Sequence, residues 1–267
     1  MRFGILDSNK RPLLMSSALS HSGGLLPQTL ASSRNMNTKY SHEKSVENIF
    51  RDNFAAAARS LNHTFIAASL DGQDRLAGAD YLFSIQSKYA IVEFKYREDN
   101  LPSEVKKEKR HLLCQGLHFD PYAHSLHDKC HFAAWSNNTA EINIETNIYF
   151  NEVCNKQFWG DKFPYNDSPA PQRRLTENQF IDNFLAGREG ADFNQFEKYI
   201  KWLLQLGDDS NTNGYLELLI SNPFNQRAAG LPFTSVRSMH TWIEVNKPDS
   251  TPTYPPSGGS FPRGPGG

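Results

Sequence analysis

The chain has 267 residues, 38% of them hydrophobic, and its 28 basic side chains nearly balance its 29 acidic ones. This length and apolar content supply a core for one large domain, which excludes a chain that is disordered throughout. The near-neutral charge excludes a protein that binds nucleic acid through its overall positive charge. Any nucleic-acid surface must therefore be a local patch or include a metal ion.

The N-terminal half begins with two contrasting segments. Residues 1–40 are rich in Ser, Leu, Asn and Gly without a sustained period, and we predict an irregular arm with one short strand at Phe3–Leu6. A strong helix is predicted at Glu43–Leu61, where Ser41 can cap the first turn. Its apolar residues follow the spacing of one helical face: Val46, Ile49, Phe50, Phe54, Ala57, Ala58 and Leu61.

Three strands and a second helix are predicted next. The strands are Thr64–Leu70, Tyr81–Ile85 and Tyr89–Tyr96, and the last of these is the most strand-like segment of the chain. Gln86-Ser87-Lys88 is short enough to join the second and third strands as a tight hairpin. A helix is predicted at Pro102–Leu117, because proline is tolerated in a first turn.

The rest of the chain mixes strands and helices. Strands are predicted at His131–Trp135, Glu141–Phe150, Tyr215–Ile220 and Thr234–Val245, and helices at Glu177–Ala186 and Phe193–Leu206. Pro, Gly and Ser dominate residues 247–267, which predicts a flexible tail. We therefore expect an α/β fold, a mixed sheet flanked by helices, with an arm (1–40), a core (41–150), a C-terminal elaboration of the same domain (151–246) and the tail.

The segment from Asp80 to Lys95 carries the candidate chemistry. Side chains alternate along a strand, so Glu93 and Lys95 share one face while Val92 and Phe94 point to the other. Strand pairing in the hairpin can bring the Asp80 carboxylate close to that of Glu93. Two adjacent carboxylates repel unless a cation lies between them, and Mg²⁺ prefers oxygen ligands and accepts a phosphate oxygen.

This pattern resembles the PD-(D/E)XK nuclease superfamily, which has the restriction-endonuclease-like fold. Asp80 is followed by twelve residues and then by Glu93-Phe94-Lys95, and the predicted order of helix, three strands, helix and strand over residues 43–136 matches that family's core. The resemblance implies that Asp80 and Glu93 bind metal and that Lys95 orients the attacking water. It also implies a metal-ligating glutamate on the first helix, Glu47 or Glu43, and a polar residue on the following helix, such as Gln115.

The implied activity is Mg²⁺-dependent hydrolysis of phosphodiester bonds, with DNA as the expected substrate and Mn²⁺ as a substitute metal. Some similar proteins work beside a helicase in bacterial antiviral defence, so a helicase or another protein subunit is a candidate partner. The alternative is an interaction module of the same fold in a larger assembly, without cleavage of its own. A third interpretation is a structural protein in which Glu93 and Lys95 form an ordinary surface ion pair.

The predicted helix after the motif carries a basic run that includes Lys106, Lys109 and Arg110. These residues can bind the phosphate backbone beside the site, independently of base sequence. The alternative is a solvated helix face that Glu104 and Glu108 partly neutralise.

The three cysteines, Cys114, Cys130 and Cys154, are too few for a disulfide framework, and their odd number favours a reducing compartment. No apolar run has the length of a signal peptide or of a membrane span, so we expect a soluble, cytoplasmic protein without a membrane partner.

The Cys and His residues between 114 and 131 are dense enough to suggest a Zn²⁺ site, but their spacings fit no standard zinc finger. The favoured interpretation is that these residues pack in the core or lie in a loop at His118–Lys129 on the active-site rim.

Overall fold

A computed structural model describes residues 42–70, 78–137, 143–165, 173–206, 216–224 and 230–247. The arm predicted at 1–40, its strand at Phe3–Leu6 and nearly all of the tail predicted at 247–267 lie outside the described residues.

The described strands form one mixed sheet. They are β1 (Phe65–Ser69), β2 (Tyr81–Ile85), β3 (Lys88–Arg97), β4 (His131–Ser136), β5 (Ile144–Ile148), β6 (Leu175–Thr176), β7 (Ala191–Asp192), β8 (Leu218–Ser221) and β9 (Gly230–Phe233). Their order is β6-β5-β4-β3-β2-β1-β8-β9, with β7 paired to the start of β3. The strands β1, β2 and β3 form an antiparallel meander, and β4 lies parallel to β3.

Helices connect and cover these strands. They are α1 (Glu43–Ser60), α2 (Glu108–Phe119), α3 (Pro121–Cys130), α4 (Tyr149–Val153), α5 (Lys156–Trp159), α6 (Glu177–Leu185), α7 (Phe193–Gln205) and α8 (Val236–Asn246), with 3₁₀ helices at Glu98–Lys106 and Gly160–Lys162. The crossover from β3 to its parallel neighbour β4 consists of the first 3₁₀ helix, α2 and α3. Parallel strands require such a connection, which places these helices on one face of the sheet.

The sheet is buried on both faces. One core joins α1 and α6 to the sheet through aromatic side chains, among them Phe50, Phe54, Phe83, Phe94 and Phe180. The other core lies under α2, α3 and α7 and contains residues such as Ile91, Leu117, Trp135, Tyr199 and Leu203. Because β3 is central and covered on both sides, any charged residue on it is removed from water unless it lies at the strand's end.

The structure confirms the general α/β expectation of a mixed sheet flanked by helices. The predicted helix at 43–61 and the strands and hairpin between 64 and 96 agree with α1, β1, β2 and β3 to within about one residue. The two-residue turn is closed by pairing of Ile85 with Lys88, and Gln86 has a positive φ of 52°. Strands of the predicted core and of the predicted C-terminal elaboration belong to the same sheet.

Several predicted elements are wrong in type or extent. The helix predicted at 102–117 is split into a 3₁₀ helix and α2, and the strand predicted at 141–150 gives way to α4 at Tyr149. The loop predicted at 118–129 is mostly helix α3, whose N-terminus is capped by the Asp120 side chain and has Pro121 in its first turn. The strand predicted at 234–245 is helix α8, capped by Ser235.

The expectation of reduced cysteines is wrong for two of the three. Cys114 in α2 and Cys154, directly after α4, form a disulfide, and both are fully buried. Cys130 is free, and its thiol donates a hydrogen bond to the Leu126 carbonyl. The sequence did not predict this disulfide, because the two cysteines are 40 positions apart and no local pattern links them.

None of the helices in the described part of the chain is both long enough and apolar enough to cross a membrane.

Candidate active site

The hairpin of β2 and β3 fixes Asp80 beside Glu93. The Asp80 amide donates a hydrogen bond to the Val92 carbonyl (3.0 Å), which continues the strand pairing by one residue. The Phe94 amide donates to Asp80 Oδ2 at 2.6 Å, so the backbone of β3 holds this carboxylate in place. Phe94 anchors the strand in the aromatic core on the opposite face.

The first two turns of α1 add two glutamates to Asp80. Glu43 and Glu47 are four residues apart and therefore lie on the same helical face. Each offers a carboxylate oxygen that lies, with one from Asp80, within a group whose members are all within 4.8 Å of one another. We call Glu43, Glu47 and Asp80 the carboxylate cluster. The sequence left Glu43 and Glu47 as alternatives, and the structure brings both to the site.

A second group of charges lies next to the carboxylate cluster, and all of its members are buried except Lys107, whose side chain is 34% exposed. Glu93 Oε1 accepts hydrogen bonds from Lys95 Nζ (2.5 Å) and Lys107 Nζ (2.6 Å), and its Oε2 accepts from Arg110 Nη2 (3.2 Å). Glu104 Oε1 lies 3.0 Å from both lysine nitrogens, and its Oε2 accepts from Arg110 Nε at 2.9 Å. Two carboxylates are thus shared among three cations, and we call these five residues the ion-pair network.

Lys95 connects the two groups. Its side chain is only 4% exposed, and Nζ lies 3.8 Å from a carboxylate oxygen of Glu43. Nζ also donates to the Phe94 carbonyl at 2.8 Å. The ammonium group is therefore held at a fixed point between the ion-pair network and the carboxylate cluster.

Glu104 and Lys107 are site residues that sequence reasoning missed. They follow Lys95 along the chain, in the 3₁₀ helix and just after it, and Arg110 comes next on α2. The signal was present as an acid and two bases that recur every three residues, at 104, 107 and 110. Arg110 was predicted to contact phosphate from an exposed helix face. It is instead buried, 2% exposed, and holds Glu93 and Glu104.

The electrostatics of the carboxylate cluster favour a cation. Burial raises the pKa of Asp80 well above its usual value, and the nearby charge of Glu93 raises it further, more than Lys95 and the Phe94 amide lower it. Burial also raises the pKa of Glu43, with Lys95 opposing the shift. Both carboxylates are thus in surroundings that disfavour their charged forms, and a bound cation would relieve that unfavourable free energy.

The ion-pair network shows the opposite balance. Burial alone would raise the pKa of Glu104, but Lys95, Arg110 and Lys107 together lower it well below its usual value. Burial opposes the charge on Lys95, yet Glu93 and Glu104 raise the pKa of its ammonium group above the usual value. Lys95 therefore stays protonated across the physiological range.

Gly78 lies against Arg110 of the ion-pair network and two residues before Asp80 of the carboxylate cluster. Its carbonyl accepts a hydrogen bond from His131 Nε2 (2.9 Å), which leaves Nδ1 to accept from the Tyr199 hydroxyl (2.6 Å). Burial lowers the pKa of His131 well below its usual value, so the ring is neutral. Gly78 has a φ of +74°, and a Cβ atom built on it would lie 2.8 Å from Arg110 Nη1.

The remaining predicted substrate-binding residues lie on α2 or just before it. Lys106 is exposed, Lys109 and Gln115 are partly exposed, and the hydrogen bonds and ion pairs given above do not include them. Gln115 is five residues after Arg110, a spacing that places it on a different face of α2.

Among the described residues, the side chains that lie close enough together to hold a metal ion are those of the carboxylate cluster. The described Cys and His residues between 114 and 131 do not form such a group. Cys114 is in the disulfide, and His131 is hydrogen-bonded to Gly78 and Tyr199. His127 is fully buried, with its ring 5.0 Å from that of His131. Cys114, His127 and His131 are packed in the interior, whereas the loop expected at His118–Lys129 is mostly helix α3.

No family model, curated protein or solved structure matches this chain. What the site can do is therefore inferred from its own geometry. Three oxygen ligands in a partly buried cluster, two of which (Glu43 and Asp80) have raised pKa values, fit a hard divalent cation such as Mg²⁺. Glu93, predicted as a metal ligand, lies outside that cluster, and both of its oxygens contact cationic side chains.

Proposed function

We propose that this chain is a Mg²⁺-dependent nuclease that hydrolyses phosphodiester bonds, with DNA as its substrate, on a core of the restriction-endonuclease-like type. One observation carries the proposal. Three carboxylates lie together beside a buried, charged lysine. Two of them come from the start of α1 and one from the residue before β2, and the lysine lies near the end of β3. This convergence joins residues from positions 43 to 95 of the chain, and an isolated Glu-x-Lys pattern would not require it.

Glu43, Glu47 and Asp80 would hold the metal ion. When bound, it would polarise a phosphate oxygen and lower the pKa of a coordinated water. The Phe94 amide fixes the orientation of Asp80, so part of this ligand set is organised in advance. Mn²⁺, which also accepts oxygen ligands, is the expected substitute.

Lys95 would orient the attacking water and stabilise the negative charge that develops on the phosphate. Its position suits this role, because Nζ is held by Glu93, Glu104 and the Phe94 carbonyl and lies 3.8 Å from Glu43. A preorganised charge in a water-poor site stabilises a transition state more strongly than the same charge in water. Glu93 contributes here by positioning Lys95, and it becomes a metal ligand only if its cationic partners move.

A specific observation also favours the alternative, a non-catalytic interaction module in a helicase-containing or other larger assembly. The ion-pair network is closed and buried, and such networks also occur as purely structural features. In that case Lys95 would neutralise Glu93 and Glu104 and contribute nothing to chemistry.

The cellular setting is part of the proposal. A role in antiviral defence beside a partner that delivers the DNA was inferred from resemblance alone. A cytoplasmic location was expected as well, but the disulfide between Cys114 and Cys154 argues against it, because disulfides persist mainly in oxidising compartments. Titration of free thiols in protein purified without reductant would show which state occurs.

The decisive experiment is a cleavage assay on supercoiled plasmid, linear duplex and single-stranded DNA, with Mg²⁺, Mn²⁺ or EDTA. Wild type is compared with Lys95→Ala, and Lys201→Ala serves as a control because that lysine is exposed on α7 and has no proposed role in binding. We expect metal-dependent cleavage that falls by about 10²–10³-fold in Lys95→Ala, the usual cost of removing a transition-state charge partner. Lys201→Ala should retain most of the activity.

Each other outcome has a defined meaning. Equal cleavage by wild type and Lys95→Ala would place the activity elsewhere or in a contaminant. A complete absence of cleavage, together with Mn²⁺ binding that Asp80→Ala removes, would indicate a site that waits for a partner. Absence of both cleavage and metal binding would reject the nuclease proposal in favour of the interaction module.

A further inference from the structure

Helix α2 begins beside the candidate site and ends at a surface that carries aromatic side chains. Residues 159–165 pack along this helix in the same direction, so that His111 contacts Trp159 and His118 contacts Tyr165. The His111 ring lies 5.4 Å from that of Trp159, and its Nε2 is 2.8 Å from the Lys162 carbonyl. One end of this surface is therefore close in sequence to Lys107 and Arg110, and the other end lies at the C-terminus of α2.

Large aromatic side chains are exposed at that C-terminal end. Phe119 is 67% exposed, Tyr122 at the start of α3 is 58% exposed, and Tyr165 is 51% exposed. His118 stacks on Tyr165 with ring centroids 3.8 Å apart, and Phe119 meets Tyr165 edge-on at 5.5 Å. We call His118, Phe119, Tyr122 and Tyr165 the aromatic patch. His118, Phe119 and Tyr165 contact one another while Phe119 and Tyr165 face water. A contiguous exposed apolar surface of this kind typically marks a binding site.

Exposed lysines lie along this surface. Lys106 precedes α2, and Lys162 lies in the segment 159–165 beside the exposed Asp161. Asp120 lies within the patch, but its Oδ1 accepts hydrogen bonds from the amides of Tyr122 and Ala123 as the cap of α3. Aromatic faces with lysines beside them fit a ligand that carries both flat rings and negative charge.

We propose that the aromatic patch binds single-stranded nucleic acid and presents it to the candidate site. The strand's bases stack on Tyr165 and Phe119, and its phosphates pass Lys106 and Lys107 toward the carboxylate cluster. From Lys107 to Phe119 the helix rises about 18 Å, a distance that a single strand of a few nucleotides can span. This inference rests on the proposed nuclease function and names its substrate class.

The chemistry of the patch selects a single strand over a duplex. Base faces are available to protein aromatics only when bases are unpaired and unstacked from their neighbours. A duplex would offer phosphates to the lysines but no ring to Tyr165 or Phe119. Stacking of this kind tolerates any base, so little sequence preference is expected.

The test measures binding without cleavage. Fluorescence anisotropy in EDTA follows a short labelled single strand of mixed sequence, and separately its duplex, with the full-length protein. The variants are Phe119→Ala with Tyr165→Ala, the conservative Tyr165→Phe, and Val245→Ala as an exposed apolar control on α8. We expect the double variant to bind the single strand about tenfold more weakly or worse, while Tyr165→Phe and Val245→Ala bind like wild type.

Unchanged affinity of the double variant for the single strand would overturn the inference, as would an equal loss for the duplex. Thermal melting of each variant identifies loss of fold, and Tyr165→Phe keeps the ring while removing only the hydroxyl. Failure of the proposed function is distinguishable. Stacking-dependent binding without cleavage and without metal binding would refute nuclease activity alone, whereas cleavage with unchanged binding by the double variant would refute the aromatic patch alone.

Discussion

The carboxylate cluster and the ion-pair network are neighbours with opposite electrostatic needs. In the ion-pair network Glu93 and Glu104 are fully buried, yet three cationic side chains neutralise them. In the carboxylate cluster burial raises the pKa values of Glu43 and Asp80, and Lys95 compensates only partly. Burial of acids is therefore not what marks a metal site. A group of acids is a better candidate for metal binding when it is buried and the protein's own cations do not fully neutralise its charge.

The largest effect should come from breaking the neutralised group. Arg110→Met keeps much of the side-chain volume but leaves Glu93 and Glu104 short of one buried partner. We expect the free energy of unfolding to fall by about 3–5 kcal/mol, the usual cost of removing one member of a buried ion pair. Urea denaturation measures this loss. Lys106→Met, at an exposed position, should change stability by no more than about 0.5 kcal/mol.

If both substitutions have the same small effect, the ion-pair network is not a stabilising unit, and the contrast between the two groups fails.

Metal addition should stabilise the protein through the carboxylate cluster. A ligand that binds the folded state alone adds about 2.7 kcal/mol at one hundred times its dissociation constant. Differential scanning fluorimetry with Mg²⁺ or Mn²⁺ should therefore show a rise in melting temperature for wild type. The rise should disappear in Asp80→Ala and remain in Glu93→Gln, because Glu93 lies outside the carboxylate cluster.

A metal response lost in Glu93→Gln but kept in Asp80→Ala would exchange the roles assigned to the two groups.

The smallest effect is a pH dependence of the metal-free protein. Because the pKa of Asp80 is raised on folding, the folded state binds more protons than the unfolded state above the unfolded pKa of 3.8. The free energy of unfolding should therefore decrease as pH rises from that value through the folded pKa, with a slope of about 1.4 kcal/mol per pH unit between the two. Asp80→Asn, which can still accept from the Phe94 amide, should remove much of this decline.

Chemical denaturation across a pH series in EDTA provides the measurement. A variant that is less stable than wild type at neutral pH would show that the Asp80 charge is already compensated.

Local sequence signals predicted the parts of the site that depend on local structure. The apolar period of α1 and the alternation in β3 predicted the elements that carry the site, and the short hairpin placed Asp80 near Glu93. The role of Glu43 or Glu47 came from the resemblance to PD-(D/E)XK nucleases. Glu104 and Lys107 were missed, and Arg110 was assigned to phosphate binding, because their place in the ion-pair network depends on where the 3₁₀ helix turns the chain. No periodic pattern encodes that turn.

The wrong elements have similar physical causes. Helix α3 buries Ala123, Leu126, His127 and Cys130, a regular helical face in which the polar His127 and the small Ala123 and Cys130 weaken the hydrophobic signal. Helix α8 contains residues that favour strands, yet its buried Val236, Met239 and Ile243 follow helical spacing. The disulfide is a long-range contact, so only the folded chain could reveal it.

Gly78 gives the two groups a shared mutational weakness. It lies two residues before Asp80, it has a backbone conformation that side chains strongly disfavour, and any Cβ atom would press on Arg110. A substitution here would displace the arginine of one group while it strains the segment that leads to the aspartate of the other. In a saturation library scored for folding and for the proposed activity together, position 78 should therefore accept glycine almost exclusively, although Gly78 is none of the proposed metal-binding or catalytic residues.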